Sequence, residues 1–118
     1  MDLHDRCESR FERDVLDRLL PLGLQLRVQY PVAGYHIDVT ATDADGRRVA
    51  IECDGDNFVG SEQLRADAER QRILERVGWR FARLRASAFY ADPDGAVDAL
   101  VARLAEHGLR LPELDGTG

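Results

Sequence analysis

The sequence contains no lysine, and all 16 of its basic residues are arginine. This absence excludes mechanisms that need a catalytic amine, such as Schiff-base chemistry or the phosphate-binding lysine of a P-loop. Cysteine is also scarce, because Cys7 and Cys53 alone supply neither a disulfide framework nor paired ligands at zinc spacing. No apolar run is long enough to span a bilayer, and no segment resembles a signal peptide. We therefore expect a cytoplasmic protein with no membrane partner.

The 118 residues suffice for one domain with a hydrophobic core, and 44% of them are hydrophobic. We expect this single domain to cover residues 1–111 and a flexible tail to cover residues 112–118. The net charge of −6 argues against nucleic-acid binding, yet residues 61–85 carry seven arginines against four acidic residues. This basic segment indicates either a local phosphate-binding surface or arginines that only solvate one helix and one strand.

Hydrophobic periodicity predicts an α/β domain with the element order α-β-β-β-α-β-α. The predicted helices and strands, in chain order, cover residues 9–20, 24–30, 35–41, 47–53, 61–77, 79–85 and 92–107. Pro31 is expected to end the first strand, and Gly46 suits the hairpin loop of residues 43–46 because glycine readily adopts a positive φ.

Glu12 is an unusual residue in the first helix, because it projects into the apolar arc between Leu16 and Leu19. A carboxylate in such a place is costly unless it is paired or bound to a metal. Alternatively, the start of a short helix lets the side chain turn out to solvent. The sequence leaves both interpretations open.

Carboxylates also face each other across the predicted hairpin. With a loop at residues 43–46, Asp38 lies opposite one of residues 51–53, depending on the register. In the middle register the Cβ atoms of Asp38 and Glu52 are about 5 Å apart, and Asp54 lies on the same face. Carboxylates placed in this way repel each other. A sequence tolerates that repulsion on a solvent-exposed face or around a divalent cation. The apolar neighbours of these residues favour the cation.

The second long helix carries three polar residues, Asp67, Arg70 and Gln71, within its predicted buried side. That side is defined by five apolar residues: Leu64, Ala68, Ile73, Leu74 and Val77. Polar groups within a core-facing arc usually indicate a cleft. A salt bridge between Asp67 and Arg70 at i,i+3 is the alternative interpretation.

These placements resemble the restriction-endonuclease-like (PD-(D/E)xK) superfamily. The similar branch comprises very-short-patch repair endonucleases and the small nuclease domain appended to some bacterial helicase-like proteins. The resemblance covers roughly residues 10–92 and implies an α-β-β-β-α-β core with a mixed central sheet flanked by helices, followed here by a C-terminal helix. The residues that carry it are Glu12, Asp38, Glu52-Cys53-Asp54-Gly55, Asp67, Arg70, Gln71 and Gly78-Trp79-Arg80.

The resemblance implies a Mg²⁺-dependent endonuclease that hydrolyses DNA in repair, restriction or defence. Asp38, Glu52 and the backbone carbonyl of Cys53 would bind Mg²⁺ or Mn²⁺, and Glu12 would touch the metal or its waters. These hard oxygen ligands suit Mg²⁺, which needs only one or two protein carboxylates.

The resemblance also implies a catalytic set in which Asp54, Arg70 and Gln71 join the two metal-binding carboxylates. Arg70 and Gln71 would hold the scissile phosphate or orient the water, since the arginine fork matches phosphate oxygens. Arg65 and Arg72, on the same helix, are the further candidates for DNA contact.

Two positions depart from the family pattern. Asp54 stands where most of the superfamily has lysine, and Val59 stands where the similar branch has histidine. His36 shares a strand face with Asp38 and can substitute, although a lone strand histidine is more often structural. The similar branch also has aspartate at the position of Asp54, so it is the missing histidine that favours an alternative, in which a catalytically weakened nuclease-fold module binds DNA or a protein as part of a larger system. The enzyme is favoured by the residues that are retained: Glu12, Asp38, Glu52, Asp54 and Arg70.

A third interpretation is a structural domain with a salt-bridged cleft. Whichever interpretation holds, a domain of this size offers little surface for sequence recognition. A homodimer or a larger helicase-like partner is therefore expected.

Overall fold

The α-helices and strands follow the predicted order, with one short α-helix added. A computed structural model describes residues 3–55 and 61–112, so Val59 and the predicted tail beyond residue 112 lie outside the described residues. The elements are α1 (Arg10–Leu19), β1 (Gln25–Val32), β2 (Tyr35–Thr42), β3 (Arg48–Asp54), α2 (Ser61–Arg76), β4 (Phe81–Arg85), α3 (Ala86–Ala91) and α4 (Pro93–Glu106). The prediction lacked α3, because Asp92 and Pro93 signal only the start of α4. Within these two ranges no helix is long and apolar enough to cross a membrane.

The four strands form one mixed sheet in the order β1-β2-β3-β4. The pairs β1–β2 and β2–β3 are antiparallel, whereas β3–β4 is parallel, with α2 in the connection. Such a crossover is the usual way to join parallel neighbours. The prediction that Pro31 ends β1 is wrong, because the strand continues to Val32. Proline lacks an N–H donor, and β1 tolerates it because it lies at the edge of the sheet.

Two hydrophobic clusters cover opposite faces of the sheet. The first cluster lies where α1, α3 and α4 pack on the sheet, and it contains Ile51. The second cluster contains Ala50, which precedes Ile51 on β3, together with Leu74 of α2 and Trp79. Because successive strand residues point to opposite faces, β3 contributes to both clusters and is the central strand of the core.

The β1–β2 hairpin changes faces along its length. The pair Val28–Val39 packs in the first cluster, whereas the next pair in the ladder, Tyr30–Ile37, packs in the second cluster. Alternate residues of a regular strand point to the same face, so the hairpin must twist between these pairs. The residue between them on β1, Gln29, has a φ of 53°, in the left-handed region. We call this point the face crossing.

The loop between β2 and β3 is held by Asp43, as well as by Gly46 with its φ of 84°. One oxygen of Asp43, Oδ1, accepts the backbone N–H groups of Asp45 and Arg47, each at 2.9 Å. The other, Oδ2, accepts the N–H of Arg110 at 2.8 Å. This single carboxylate therefore connects the hairpin loop to the segment that follows α4.

Candidate active site

Asp38 and Glu52 lie side by side on β2 and β3. The ladder pairs Val39 with Ile51, which is the middle of the three registers considered from the sequence. Glu52 Oε2 accepts the backbone N–H of Asp38 at 3.1 Å, and Asp38 Oδ2 accepts the N–H of Cys53 at 2.9 Å. Each carboxylate is therefore fixed by the backbone of the neighbouring strand.

Glu12 is buried rather than turned to solvent, with 6% of its surface exposed. The Ser9 hydroxyl caps α1 by accepting the Glu12 N–H at 3.1 Å, which places this residue in the first turn. Its carboxylate oxygen Oε1 accepts the backbone N–H of Glu8 at 3.1 Å. The same oxygen accepts the side-chain amide of Gln29, also at 3.1 Å. Glu12 is thus directed from α1 towards the face crossing.

Gln29 connects two of the predicted site residues. Besides Glu12, its Nε2 donates to Asp38 Oδ1 at 3.4 Å. Sequence reasoning missed this residue, because a glutamine that alternates with apolar residues on an edge strand is normally a solvent-facing position. Nothing in the sequence indicates its left-handed backbone.

Burial makes the charged forms of these carboxyl groups unfavourable. It raises the pKa of Glu12 and of Asp38 above their ordinary values. For Glu52, burial and the nearby charge of Asp38 together raise the pKa to about 7, against the opposing effect of Arg70. The protein alone therefore compensates only part of the negative charge that it gathers here.

Helix α2 packs on the sheet through a largely polar side. Of the five apolar residues predicted to be buried there, only Leu74 is fully buried, whereas Leu64 is 55% and Val77 is 53% exposed. The side that faces the sheet instead follows the helical spacing i, i+3, i+4, i+7 and comprises Asp67, Arg70, Gln71 and Leu74. The predicted polar positions are correct, but most of their expected apolar neighbours lie outside the interface.

Arg70 joins α2 to the central strands. Its guanidinium forms an ion pair with Glu52 and donates to Asp67 Oδ1 at 3.3 Å. It also donates to the backbone carbonyl of His36 at 3.2 Å, while the His36 side chain is exposed. The simple Asp67–Arg70 salt bridge considered from the sequence is present, but it is one part of a network that includes Glu52.

Arg83 of β4 is a second arginine in the network, and sequence reasoning missed it. It lies beside Glu52 in the parallel ladder and donates to both oxygens of Asp54, at 2.9 and 3.1 Å. It also pairs with Asp67 Oδ2 at 3.0 Å and donates to Gln71 Oε1. The signal in the sequence that could have found Arg83 is its position as an arginine in the middle of a short strand.

Three of the predicted residues contribute no side chain to this network. Arg65 and Arg72 are exposed on α2. The Cys53 side chain packs against the first hydrophobic cluster, and burial raises the pKa of its thiol. A role for Cys53 would therefore rest on its backbone carbonyl, as the family resemblance implies.

The carboxylate oxygens of Asp38 and Glu52 suit a hard divalent cation, but these two residues do not form one three-carboxylate cluster with Glu12. Over residues 3–55 and 61–112, no group of three His, Cys, Asp or Glu side chains is placed to hold a metal, so Glu12 is not gathered with Asp38 and Glu52. Two adjacent carboxylates nevertheless supply the oxygen ligands that Mg²⁺ needs, because this ion keeps several of its waters. The residues present fit such an ion.

Comparison with known proteins identifies the family of this arrangement. Neither the curated proteins nor the solved structures gave a match. A family model described as REase_MTES_1575, which is restriction endonuclease-like, matches residues 11–104. The matched range runs from α1 into α4 and contains every site residue discussed above. The chain therefore belongs to this restriction endonuclease-like family.

Proposed function

We propose that this chain is a Mg²⁺-dependent endonuclease that hydrolyses phosphodiester bonds in DNA, in repair, restriction or defence. The observation that carries the proposal is the pair of carboxylates from half-buried Asp38 and buried Glu52, each hydrogen-bonded to the backbone of the adjacent strand. Crowded carboxylates with raised pKa values are typical of functional sites. Membership of a restriction endonuclease-like family supports the same class of chemistry.

Asp38 and Glu52 would hold the ion, the backbone carbonyl of Cys53 would be a further ligand, and Glu12 would act through a water. When bound, Mg²⁺ or Mn²⁺ supplies Lewis-acid polarisation of a phosphoryl oxygen. The protein itself contributes rigid placement, because the side chains of all three acids accept backbone N–H groups.

Arg70 and Arg83 would bind the phosphate. Because the chain has no lysine, any permanently charged cationic side chain that it places next to the scissile group must be an arginine. Each guanidinium already lies against the carboxylates of β3, Arg70 at Glu52 and Arg83 at Asp54. Their planar forks match phosphate oxygens, and a partly desolvated position strengthens such contacts. Arg65 and Arg72, exposed on α2, would contact the DNA backbone farther from the cleavage point.

The test is cleavage of supercoiled plasmid with Mg²⁺ or Mn²⁺, with EDTA as the metal-free condition. We expect nicking by the parent protein, and its loss in Asp38→Asn and Glu52→Gln. Asp98→Asn is the matched control, because Asp98 is an exposed acid on α4 away from the site. A parent protein that cleaves neither DNA nor RNA with either metal would overturn the proposal.

A second candidate function is DNA or protein binding without cleavage. The pairing of Arg70 with Glu52 favours this function, since the guanidinium already neutralises one of the two central carboxylates. In that case a gel-shift experiment would show DNA binding by the parent protein with no cleavage in any metal. A small domain has little surface for target recognition, so we also propose that a second copy or a helicase-like partner selects the target.

A further inference from the structure

Gln29 has a backbone conformation that glutamine rarely adopts. Its φ of 53° lies in the left-handed region, where the Cβ of most residues approaches the following carbonyl oxygen. Glycine adopts this conformation without that cost, and asparagine adopts it more readily than most residues. The need for a twist at the face crossing therefore does not explain why glutamine stands here.

The side chain of Gln29 supplies what glycine cannot. Its amide nitrogen has two hydrogens, and it donates to Glu12 Oε1 at 3.1 Å and to Asp38 Oδ1 at 3.4 Å. These carboxylates come from α1 and β2. Glycine, which would suit this backbone, has no side chain and so offers neither contact. The left-handed backbone and the bridging amide thus belong to one arrangement.

We propose that Gln29 is a positioning residue, which holds the carboxylates of Glu12 and Asp38 in the orientation that the bound metal requires. This inference rests on the proposed function. Gln29 touches neither metal nor DNA in this role, and it acts through the two acids. Residues that orient metal ligands in this way typically change metal affinity or activity about 10- to 100-fold when they are replaced.

The test compares Gln29→Gly with Gln25→Gly on the same strand. Gln29→Gly permits the left-handed backbone and removes the side chain with its amide, and glycine adopts this φ without strain, so its melting temperature should fall by no more than that of the control. Gln25 is exposed at the start of β1, and its replacement weakens the strand without touching the acids. The readouts are Mn²⁺ affinity without DNA, measured by calorimetric titration, and kcat and KM for plasmid cleavage.

We expect Gln29→Gly to bind Mn²⁺ at least tenfold more weakly and to lose kcat with little change in KM, while Gln25→Gly behaves as the parent protein in both measurements. A parent that binds Mn²⁺ and cleaves, together with a Gln29→Gly variant that does the same equally well, would overturn this inference alone. A parent that binds no Mn²⁺ and cleaves nothing would overturn the proposed function and this inference together.

The contact itself is tested in metal-free protein by a double-mutant cycle of Gln29→Gly and Glu12→Gln. Non-additive changes in melting temperature support the bridge, because residues in one hydrogen-bond network couple. Additive changes would show that Gln29 does not hold Glu12, whatever the protein cleaves.

Discussion

The guanidinium of Arg70 lies against the carboxylate of Glu52, and this ion pair connects α2 to the central strand β3. Only 3% of the Glu52 side chain and 18% of the Arg70 side chain are exposed, so water contributes little to the stabilisation of either charge. An arginine considered from the sequence mainly as a phosphate ligand therefore also has a structural role. The two roles are separable by experiment.

Arg70→Ala should lower the free energy of unfolding by about 3 kcal/mol, because removing one partner leaves a buried, uncompensated carboxylate. Adding Glu52→Gln to this variant should recover part of the loss, since the orphaned charge is then absent. Urea unfolding of both single variants and of the double variant measures the coupling. Strictly additive losses would show that the pair contributes no interaction energy.

Asp38→Asn should abolish metal-dependent cleavage while the free energy of unfolding stays the same or rises by about 1 kcal/mol. Asparagine retains an oxygen that accepts the Cys53 N–H, and the repulsion with Glu52 disappears. Glu52→Gln should also be inactive, but it should melt lower than Asp38→Asn because it weakens the contact with Arg70. Thermal melting in EDTA beside the plasmid assay distinguishes the two variants. If Asp38→Asn melted markedly lower than the parent, its carboxylate would be a structural acceptor instead.

The stability of the protein in acid should depend on Asp43. The backbone N–H of Arg110, with those of Arg47 and Asp45, holds the pKa of this carboxyl group below its ordinary value of 3.8. Between the lower pKa of the folded protein and the ordinary value of 3.8, the unfolded chain binds more protons at Asp43 than the folded protein does. The stabilisation that the Asp43 carboxylate provides is therefore complete above about pH 3.8 and is lost as the pH falls through the folded pKa. Melting temperatures between pH 5 and pH 2.5 should fall less steeply for Asp43→Asn than for the parent protein. Parallel curves would contradict this role.

Leu74→Ala and Leu64→Ala, on the same face of α2 by sequence pattern, should differ strongly. Leu74 is fully buried, and its truncation should cost about 3 kcal/mol, as expected for a core leucine. Leu64 is mostly exposed, so its replacement should change the free energy of unfolding by less than about 0.5 kcal/mol. Denaturant unfolding measures both, and equal losses would contradict the packing of α2 described above.

The sequence predicts the sheet and its central carboxylates because these follow from short-range patterns. Alternating apolar residues define the strands, and the position of Gly46 in the loop limits the hairpin to a few registers. Of these registers, only the middle one places Asp38 opposite Glu52. Family resemblance added the mixed sheet, which periodicity alone does not indicate.

The rest of the site depends on tertiary contacts that local patterns do not reveal. A helix periodicity cannot show that the sheet accepts Arg70 and Asp67 in place of Leu64, because the partners of those polar groups are on β3 and β4. Arg83 is marked in the sequence only by its place in the middle of a short strand, which does not reveal its contacts with Asp54, Asp67 and Gln71. Gln29 is identified only in three dimensions, by its left-handed backbone and by the contacts of its amide with Glu12 and Asp38.

The face crossing has a consequence for when the site assembles during synthesis of the protein. Packing on both sides of the face crossing holds the strands that carry the acids, and Leu100 and Leu104 of α4 belong to the first cluster. A nascent chain on the ribosome therefore lacks an assembled site until nearly the whole domain has emerged. A fragment that ends before α4 lacks Leu100 and Leu104, so its first hydrophobic cluster is incomplete.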